Sequence, residues 1–394
     1  MKALVIHARR TGYGVTRSLH QYGAEVIIAD DQVTPVFYSN KISHSYVLPN
    51  ITKVSEEFYL ERLLAIGQKH FDGDKILVFT GKDDYLLFFA KNYSALAPYF
   101  SLSFESDYQK LRRVLGKKSL AKVAKLANVR SPLTLDDGSP QDEYDQLAYP
   151  VIVKPDFKNL PSQDVVGEAF RIKKCNDCHQ LTLARNQLSD LGLEYVVQEY
   201  ISGGDDDLYT VGVYLYQGRL LGYSMAKKIR QFPVNTGECS FGKLIDDDCL
   251  IEACVLLAQE SKITGICQIE FKKSGDEYFL IEINPRVWSW HQIHSVAGVD
   301  LVKICAQKMY KNRELPMIKP VRGVNGYWQF SLMDMLHNVI LNKNISLWEW
   351  LRDLRRSNIH AFFCPKDLKP VIWHWCQTLP YIYREMRKHN RNTN

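Results

Sequence analysis

The sequence predicts an α/β chain: an open parallel sheet first, helices with antiparallel strands next, and a basic, aromatic, mainly helical segment last. Three observations lead there. Residues 2–80 alternate short apolar runs with helix-forming stretches, as βα units around a parallel sheet do. Residues 194–284 hold Val/Ile/Tyr/Phe-rich runs separated by Gly-containing turns, which reads as antiparallel strands. All seven tryptophans lie at or after Trp288, and five of them fall beyond residue 321, where 11 Lys/Arg stand against 5 Asp/Glu. The predicted divisions are 1–112, 113–202, 203–320 and 321–394.

Composition narrows the class. A chain of 394 residues with 46% hydrophobic and 24% charged residues is ordinary for a soluble protein with several domains. The first apolar run is short and ends at Arg9-Arg10, so a first strand is expected there rather than a signal peptide. No run of about 18 apolar residues exists, which predicts no membrane-spanning helix. Nine cysteines without a paired framework point to a reducing, cytoplasmic setting. The net charge of +6 resides in the tail, leaving the first 321 residues neutral.

In order, Lys2 to Ala29 reads as strand, glycine turn, helix, strand. Gly12-Tyr13-Gly14 sits where a dinucleotide loop would sit, but Val15-Thr16-Arg17 follow without the third glycine, so a structural turn is expected instead. Lys75 to Thr80 is the next strand. Tyr108 to Asn128 is rich in helix formers, and Ser131-Pro132 breaks it. Tyr149 to Pro155 is a short strand that delivers Lys154. Lys173 to Leu191 reads as a helix. Within it, Cys175-Asn176-Asp177-Cys178-His179 matches a haem-attachment pattern, yet that chemistry needs export, and a coincidence at a helix start is expected. Glu194 to Ile201 is a strand, Ser202-Gly203-Gly204 a turn. Leu208 to Tyr216 and Leu220 to Ile229 are antiparallel strands joined at Gln217-Gly218, and Leu250 to Thr264 is a helix.

The stretch GICQIEFKKSGDEYFLIEINPR, from Gly265 to Arg286, carries the chemistry. It reads as a β-hairpin around Lys-Lys-Ser-Gly-Asp. With an odd turn, Ile269, Phe271, Phe279, Ile281 and Ile283 share one face, and Glu270, Glu282 and Asn284 share the other, because strand side chains alternate. Two carboxylates and an amide oxygen form a hard-oxygen set suited to Mg²⁺. Arg286 adds a fixed cation. Basic residues upstream (Lys118, Lys154, Lys228, Arg230) complete a plausible polyphosphate cradle. His291 and His294, three apart, are expected to be packing residues rather than a second metal site.

The order Lys118, Val-Ile-Val-Lys154-Pro, Gln198-Glu199-Tyr200-Ile201, Glu270, Glu282-Ile-Asn284-Pro-Arg286 resembles the ATP-grasp superfamily over about residues 1–320. It is most similar to the carboxylate–amine ligase branch related to biotin carboxylase and carbamoyl phosphate synthase. The runs from Gly204 to Val213 and from Lys228 to Pro233 resemble a subgroup that includes D-aspartate ligases. The resemblance implies an ATP-grasp fold: an N-terminal parallel-sheet domain, ATP held between two α+β subdomains, and here an extra C-terminal segment. It implies that Lys118 and Lys154 contact ATP phosphates, that Gln198, Glu199, Tyr200 and Ile201 form the adenine hinge, and that Asp207, with Asp205 and Asp206 competing, meets the ribose. Glu270, Glu282 and Asn284 would hold Mg²⁺, for which Mn²⁺ can substitute. Arg286, Arg230 and Lys228 would stabilise the transferring phosphoryl group.

One stretch departs from the family: Asp156 to Gln163 carries no glycine where a glycine-rich phosphate loop is usual, so Lys158, Asn159 and Ser162 are the candidates there. The implied reaction is ATP-dependent amide formation through an acyl-phosphate, releasing ADP. The alternative is an ATP-binding regulator without catalysis. The expected partners are a small carboxylate and a small amine, held among Asp83-Asp84, residues 235–241 and Trp288 to His294. A homodimer stays open. The basic tail lacks any nucleic-acid module, so nucleic acid is not expected. Trp373, Trp375, Tyr381 and Tyr383 with the basic end read either as a packed helical subdomain or as an interfacial segment at the inner membrane face.

Overall fold

The computed structural model describes residues 1–156, 172–232, 237–312 and 314–393, the last six by backbone alone. β1 (Lys2–Ile6), β2 (Glu25–Asp30), β3 (His44–Val47), β4 (Ile76–Thr80) and β5 (Phe100–Leu102) form a parallel sheet in the order β3-β2-β1-β4-β5. Period-two alternation divides its side chains. Leu4, Ile6, Ile27 and Val78 join a core with Leu63 and Ile66 of the helix Glu56–His70 and Phe89 of the helix Asp83–Lys91. Ala3, Val5, Val26 and Phe79 belong to a second core with Val15 and Leu19 of the helix Arg10–Gln21 and Ile304 and Cys305 of the helix Leu301–Lys311. The strand order reverses direction at β1 and β4. Crevices beyond the carboxyl ends of such strands are where open α/β sheets bind ligands, and Arg10 and Asp83 lie just past those ends.

Gly12 and Gly14 lie inside the helix Arg10–Gln21, not in a turn before it. A Cβ on Gly14 would lie 2.7 Å from the His291 ring, and one on Gly12 would lie 3.1 Å from Val5. The glycines let this helix press against its neighbours.

A small antiparallel sheet follows, β6 (Thr134–Asp136), β7 (Val151–Pro155), β8 (Lys173–Cys175) and β9 (Tyr195–Glu199), in the order β6-β9-β7-β8. The helix Cys178–Asp190 covers it through Leu181, Ala184 and Leu188. The stretch expected to be wholly helical therefore begins as a strand. Asp177 sets the boundary, its side chain accepting from the Gln180 amide at 2.8 Å as an N-cap. The Cys-Asn-Asp-Cys-His run straddles that junction, with Cys175 buried and Cys178 exposed.

The largest sheet holds β10 (Leu208–Tyr216), β11 (Arg219–Phe232), β12 (Glu238–Ile245), β13 (Gly265–Ser274), β14 (Glu277–Asn284), β15 (Tyr327–Gln329) and β16 (Ile359–His360). Its order is β14-β13-β10-β11-β12-β15-β16. Val211, Val213, Met225, Ile269 and Phe271 pack with residues of the helices Lys117–Leu126 and Ile251–Ser261. The opposite face carries the polar groups described below.

The C-terminal segment is not a separate helical unit, because it supplies β15 and β16. Its helix Leu347–Arg356 opens with a Ser346–Glu349 capping box. Its last helix, Lys369–Thr393, buries Val371, His374, Thr378 and Ile382. Trp373 stacks on Tyr38 at 4.1 Å between centroids. Asp367, just before that helix, accepts from the Tyr13 hydroxyl at 3.0 Å and the Asn40 amide at 3.1 Å. Among the described residues no helix is long and apolar enough to cross a membrane.

Candidate active site

The hairpin closes on two turn residues, Gly275 and Asp276, so Ser274 faces Glu277 and Phe271 faces Leu280. A bulge then absorbs Ile281, and Glu270 stands directly opposite Glu282, with Gln268 opposite Asn284. The expected odd turn is thus an even turn plus one bulged residue. At the site end the register matches the sequence reading. At the turn end it differs: Leu280 is buried, while Phe279 and Ile281 are half-buried.

Glu270, Glu282 and Asn284 converge. Asn284 Nδ2 donates to Glu282 Oε1 at 2.8 Å and to Gln268 Oε1 at 3.3 Å. Gln268 Nε2 donates to Glu270 Oε1 at 3.1 Å. Lys228 Nζ lies 2.9 Å from the same oxygen. Burial pushes the Glu270 carboxyl above its usual range, and nearby Glu282 adds to this while Lys228 opposes it. Burial works against the Lys228 charge, but Glu270 outweighs it and holds the ammonium above its usual pKa. Paired carboxylates with an amide side chain beside them in a buried site fit a Mg²⁺ ion. Glu270, Glu282 and Asn284 are the residues that would hold one.

Arg286 leaves the same strand end and forms an ion pair with Asp83 past β4. Its Nη2 also lies 3.4 Å from Asn284 Oδ1. Burial opposes its charge, and Asp83 more than restores it. Arg230 has other partners than those expected. Its Nε and Nη2 reach Asp334 at 2.9 and 2.7 Å, and its Nη1 reaches Asp353 at 2.7 Å. Asp334 is fully buried. Arg230 therefore ties β11 to the C-terminal segment, and the structure does not bring it into the carboxylate cluster.

Near the small sheet, Lys118 pairs with Asp136 at 2.8 Å, and its amide donates to buried Asp156 at 2.9 Å. Lys154 is half-buried at the end of β7. Gln198 donates from Nε2 to Thr134 Oγ1 at 2.8 Å. Glu199 accepts from the Leu133 amide at 3.2 Å and donates its own amide to the Leu133 carbonyl at 2.9 Å. Lys174 lies 3.9 Å over the Tyr200 ring, and Ile201 is buried. Asp207 accepts from the Gly204 amide at 2.8 Å, which commits one of its oxygens to the local turn. Lys158, Asn159 and Ser162, with Pro233 and Asn235, lie outside the described residues.

Trp288 and Trp290, which the sequence left open between facing a substrate and packing in the core, are core. Both are buried, and Trp290 lies where a Cβ on Gly242 would sit, at 2.8 Å. His291 and His294 are buried and uncharged, held by burial at about 4 and about 3. A cavity of about 430 Å³ opens nearby, lined by Arg10, Glu238, Phe232, Phe330, His374 and Tyr381 among others. Arg10 forms an ion pair with Glu238 and lies 4.3 Å from the Phe330 ring centroid. Neither Arg10 Nε nor His374 Nε2 finds a hydrogen-bond partner among the described residues. Cys239, next to Glu238, lies within electrostatic reach of both Arg10 and Lys228. The sequence set residues 235–241 at a substrate pocket, and Gly237 and Glu238 do line this cavity, but Arg10 and the walls from Phe330 to Tyr381 were missed because they lie far away in the chain. Gln268 was also missed, although two residues before Glu270 on a strand it must share that face.

Comparison with known proteins fits this geometry. Residues 245–318 match the family model for the carbamoyl-phosphate synthase L chain, ATP binding domain. The N5-carboxyaminoimidazole synthetase from Staphylococcus aureus, solved with ADP, superposes with a TM-score of 0.64 at 14% identity, covering 87% of this chain and 86% of that one. The chain has the ATP-grasp fold. An L-amino acid ligase from Bacillus licheniformis superposes with a TM-score of 0.58 at 17% identity, over 79% of this chain and 74% of that chain. Pyruvate carboxylase of Staphylococcus aureus is 42% identical over 55 residues, which is 14% of this chain and 5% of that protein.

Proposed function

We propose that this ATP-grasp chain is an ADP-forming ligase that joins a small carboxylate to a small amine. The observation that carries the reading is Glu270 opposite Glu282, with Asn284, Lys228 and Arg286 around them, at the crevice beyond β1 and β4. A bound Mg²⁺ would neutralise phosphate charge and orient the nucleotide. In the first step a substrate carboxylate oxygen attacks the γ-phosphorus of ATP, and the bond to the ADP oxygen breaks. In the second the amine nitrogen attacks the acyl carbon, the carbon–oxygen bond to phosphate breaks, and the nitrogen gives up a proton. Lys228 and Arg286 supply fixed positive charge where phosphate oxygens gain charge. Lys118 and Lys154 are assigned to the ATP phosphates, Gln198 to Ile201 to adenine, and Asp207 to the ribose.

The cavity beside Cys239 supports an amino acid as one substrate. Arg10 and Glu238 neutralise each other when it is empty and match the carboxylate and ammonium of a zwitterion, while Phe232, Phe330 and Met333 accept an apolar side chain. A cell-envelope or glycan precursor is the other candidate for the same panel.

The test is ADP release from Mg-ATP with paired carboxylates and amines, including D- and L-amino acids and uronic acids. ADP release should require both partners and should fall at least about a hundredfold in Glu282→Ala, with circular dichroism unchanged. Undiminished turnover in Glu282→Ala would overturn the assignment. Nucleotide binding with no turnover on any pair would favour the regulator reading.

A further inference from the structure

The last helix, Lys369–Thr393, is amphipathic in an unusual sense: it has two apolar faces. Val371, His374, Thr378 and Ile382 are buried against the body, and Trp373 is fixed on Tyr38. A second row, Ile372, Trp375, Leu379, Tyr383 and Met386, follows a 3-4-4-3 spacing, which keeps it within one stripe of a helix turning 100° per residue. That row points away from the protein. Ile372 is 55% exposed, Trp375 and Leu379 51%, Tyr383 61% and Met386 36%. Surface apolar residues scattered singly need no account, but a continuous row marks an interaction site.

Charge selects the occupant. The helix carries Lys369, Arg384, Arg387, Lys388 and Arg391 against one acid, Glu385. Four of the five cations follow Tyr383, at the C-terminal end of the row. The buried residues Val371, His374, Thr378 and Ile382 lie about a right angle round the helix from this row, so the row runs along the flank of the helix, tangent to the protein surface. An apolar stripe lying flat, with indole and phenol rings and basic residues beside it, has the chemistry of a helix resting in a lipid headgroup layer. We infer that this helix docks the protein on an anionic bilayer surface. Trp375, Leu379 and Tyr383 enter the acyl boundary, and Arg384 and Arg387 pair with lipid phosphates. Leu347 and Trp348, at the start of another helix in the same segment, are also 52% and 80% exposed.

The experiment uses the full chain and flotation with two kinds of vesicle: phosphatidylcholine alone, and phosphatidylcholine with about one third phosphatidylglycerol. Binding should be confined to the anionic vesicles, weaken at high salt, and shift Trp emission to the blue. Trp375→Glu combined with Leu379→Glu should abolish it. Arg384→Glu and Arg387→Glu should each lower it by about fivefold or more, from the ~1 kcal/mol that a basic residue contributes near an anionic surface. All these positions are exposed, so the variants should keep the wild-type melting temperature. No binding of folded wild-type protein to anionic vesicles would overturn the inference. So would a dimer seen by sedimentation that the Glu substitutions dissociate, since a second copy would then own the stripe. None of these readouts requires turnover, so the ligase reading can fail without affecting them.

Discussion

Arg230 shows how a single residue's partners change its reading. In sequence it follows Lys228 by two positions on a strand near the phosphate site, which suggests a phosphate contact. In the structure its fork is filled by Asp334 and Asp353, and its ring-facing side covers Phe241 at 4.3 Å. Asp334 also accepts from Ser240 at 2.7 Å and from Gln329 and Asn338, each at 3.1 Å. Removing one partner of a buried ion pair leaves the other charge unsolvated, at about 3–5 kcal/mol. Asp334→Ala should therefore lower the urea midpoint of unfolding markedly, and Arg230→Lys should not keep the wild-type midpoint, because an ammonium cannot span both carboxylates. If Arg230 instead served only the phosphates, both variants would unfold like the wild type and Arg230→Lys would simply turn over slowly. No signal in the local sequence could have separated these cases, since Asp334 and Asp353 lie more than 100 residues away.

Elements were legible where a short-range rule governs them. The alternation in Lys2 to Thr80 gives the parallel sheet, and parity places Glu270, Glu282 and Asn284 together because apolar Ile269 and Ile283 must share the other face. The bulge at Ile281 was not legible, because an odd turn and an even turn with a bulge put the same residues at the site end. Nor were the two short strands of the C-terminal segment, since β15 forms by pairing with distant β12 and β16 by pairing with β15, not through their own composition. Gly212 of β10 is another case set by tertiary contact. A Cβ there would fall 2.6 Å from His294 Nε2 and 2.8 Å from the Trp288 ring, both of them buried. Gly212→Ala should thus cost about 1–3 kcal/mol through overpacking. Thermal unfolding reads this directly, and an unchanged midpoint would mean that the layer holding Trp288 and His294 is loose enough to yield.

At the scale of the whole molecule, the contacts between the N-terminal sheet, the large sheet and the C-terminal segment bury several neutral imidazoles. Burial holds His294 at about 3, with His291 adding to the effect, and it holds His291 and His374 at about 4. An imidazole in the unfolded chain takes up its proton near pH 6.5. Below that pH the unfolded state binds more protons than the folded one, so stability falls as pH falls. The contribution of each buried histidine is complete above about pH 6.5 and is lost progressively toward its folded value. Asp30 works the other way: burial raises its carboxyl to about 7, so its folded form gains stability on acidification through that range. Seven histidines held low by burial (His7, His70, His291, His294, His337, His360 and His374) against three raised carboxyls (Asp30, Glu270 and Asp300) make acid loss the net outcome. The melting temperature should fall steadily from pH 7.5 to pH 5. His294→Phe has a ring of similar size and no titrating nitrogen, and neither His294 nitrogen has a hydrogen-bond partner to lose among the described residues. That variant should show a shallower fall over the same range, whatever its melting temperature at pH 7.5. Parallel curves for the two proteins would mean that His294 is already solvated or protonated in the fold, and that the layer between Gly212 and Trp288 admits water.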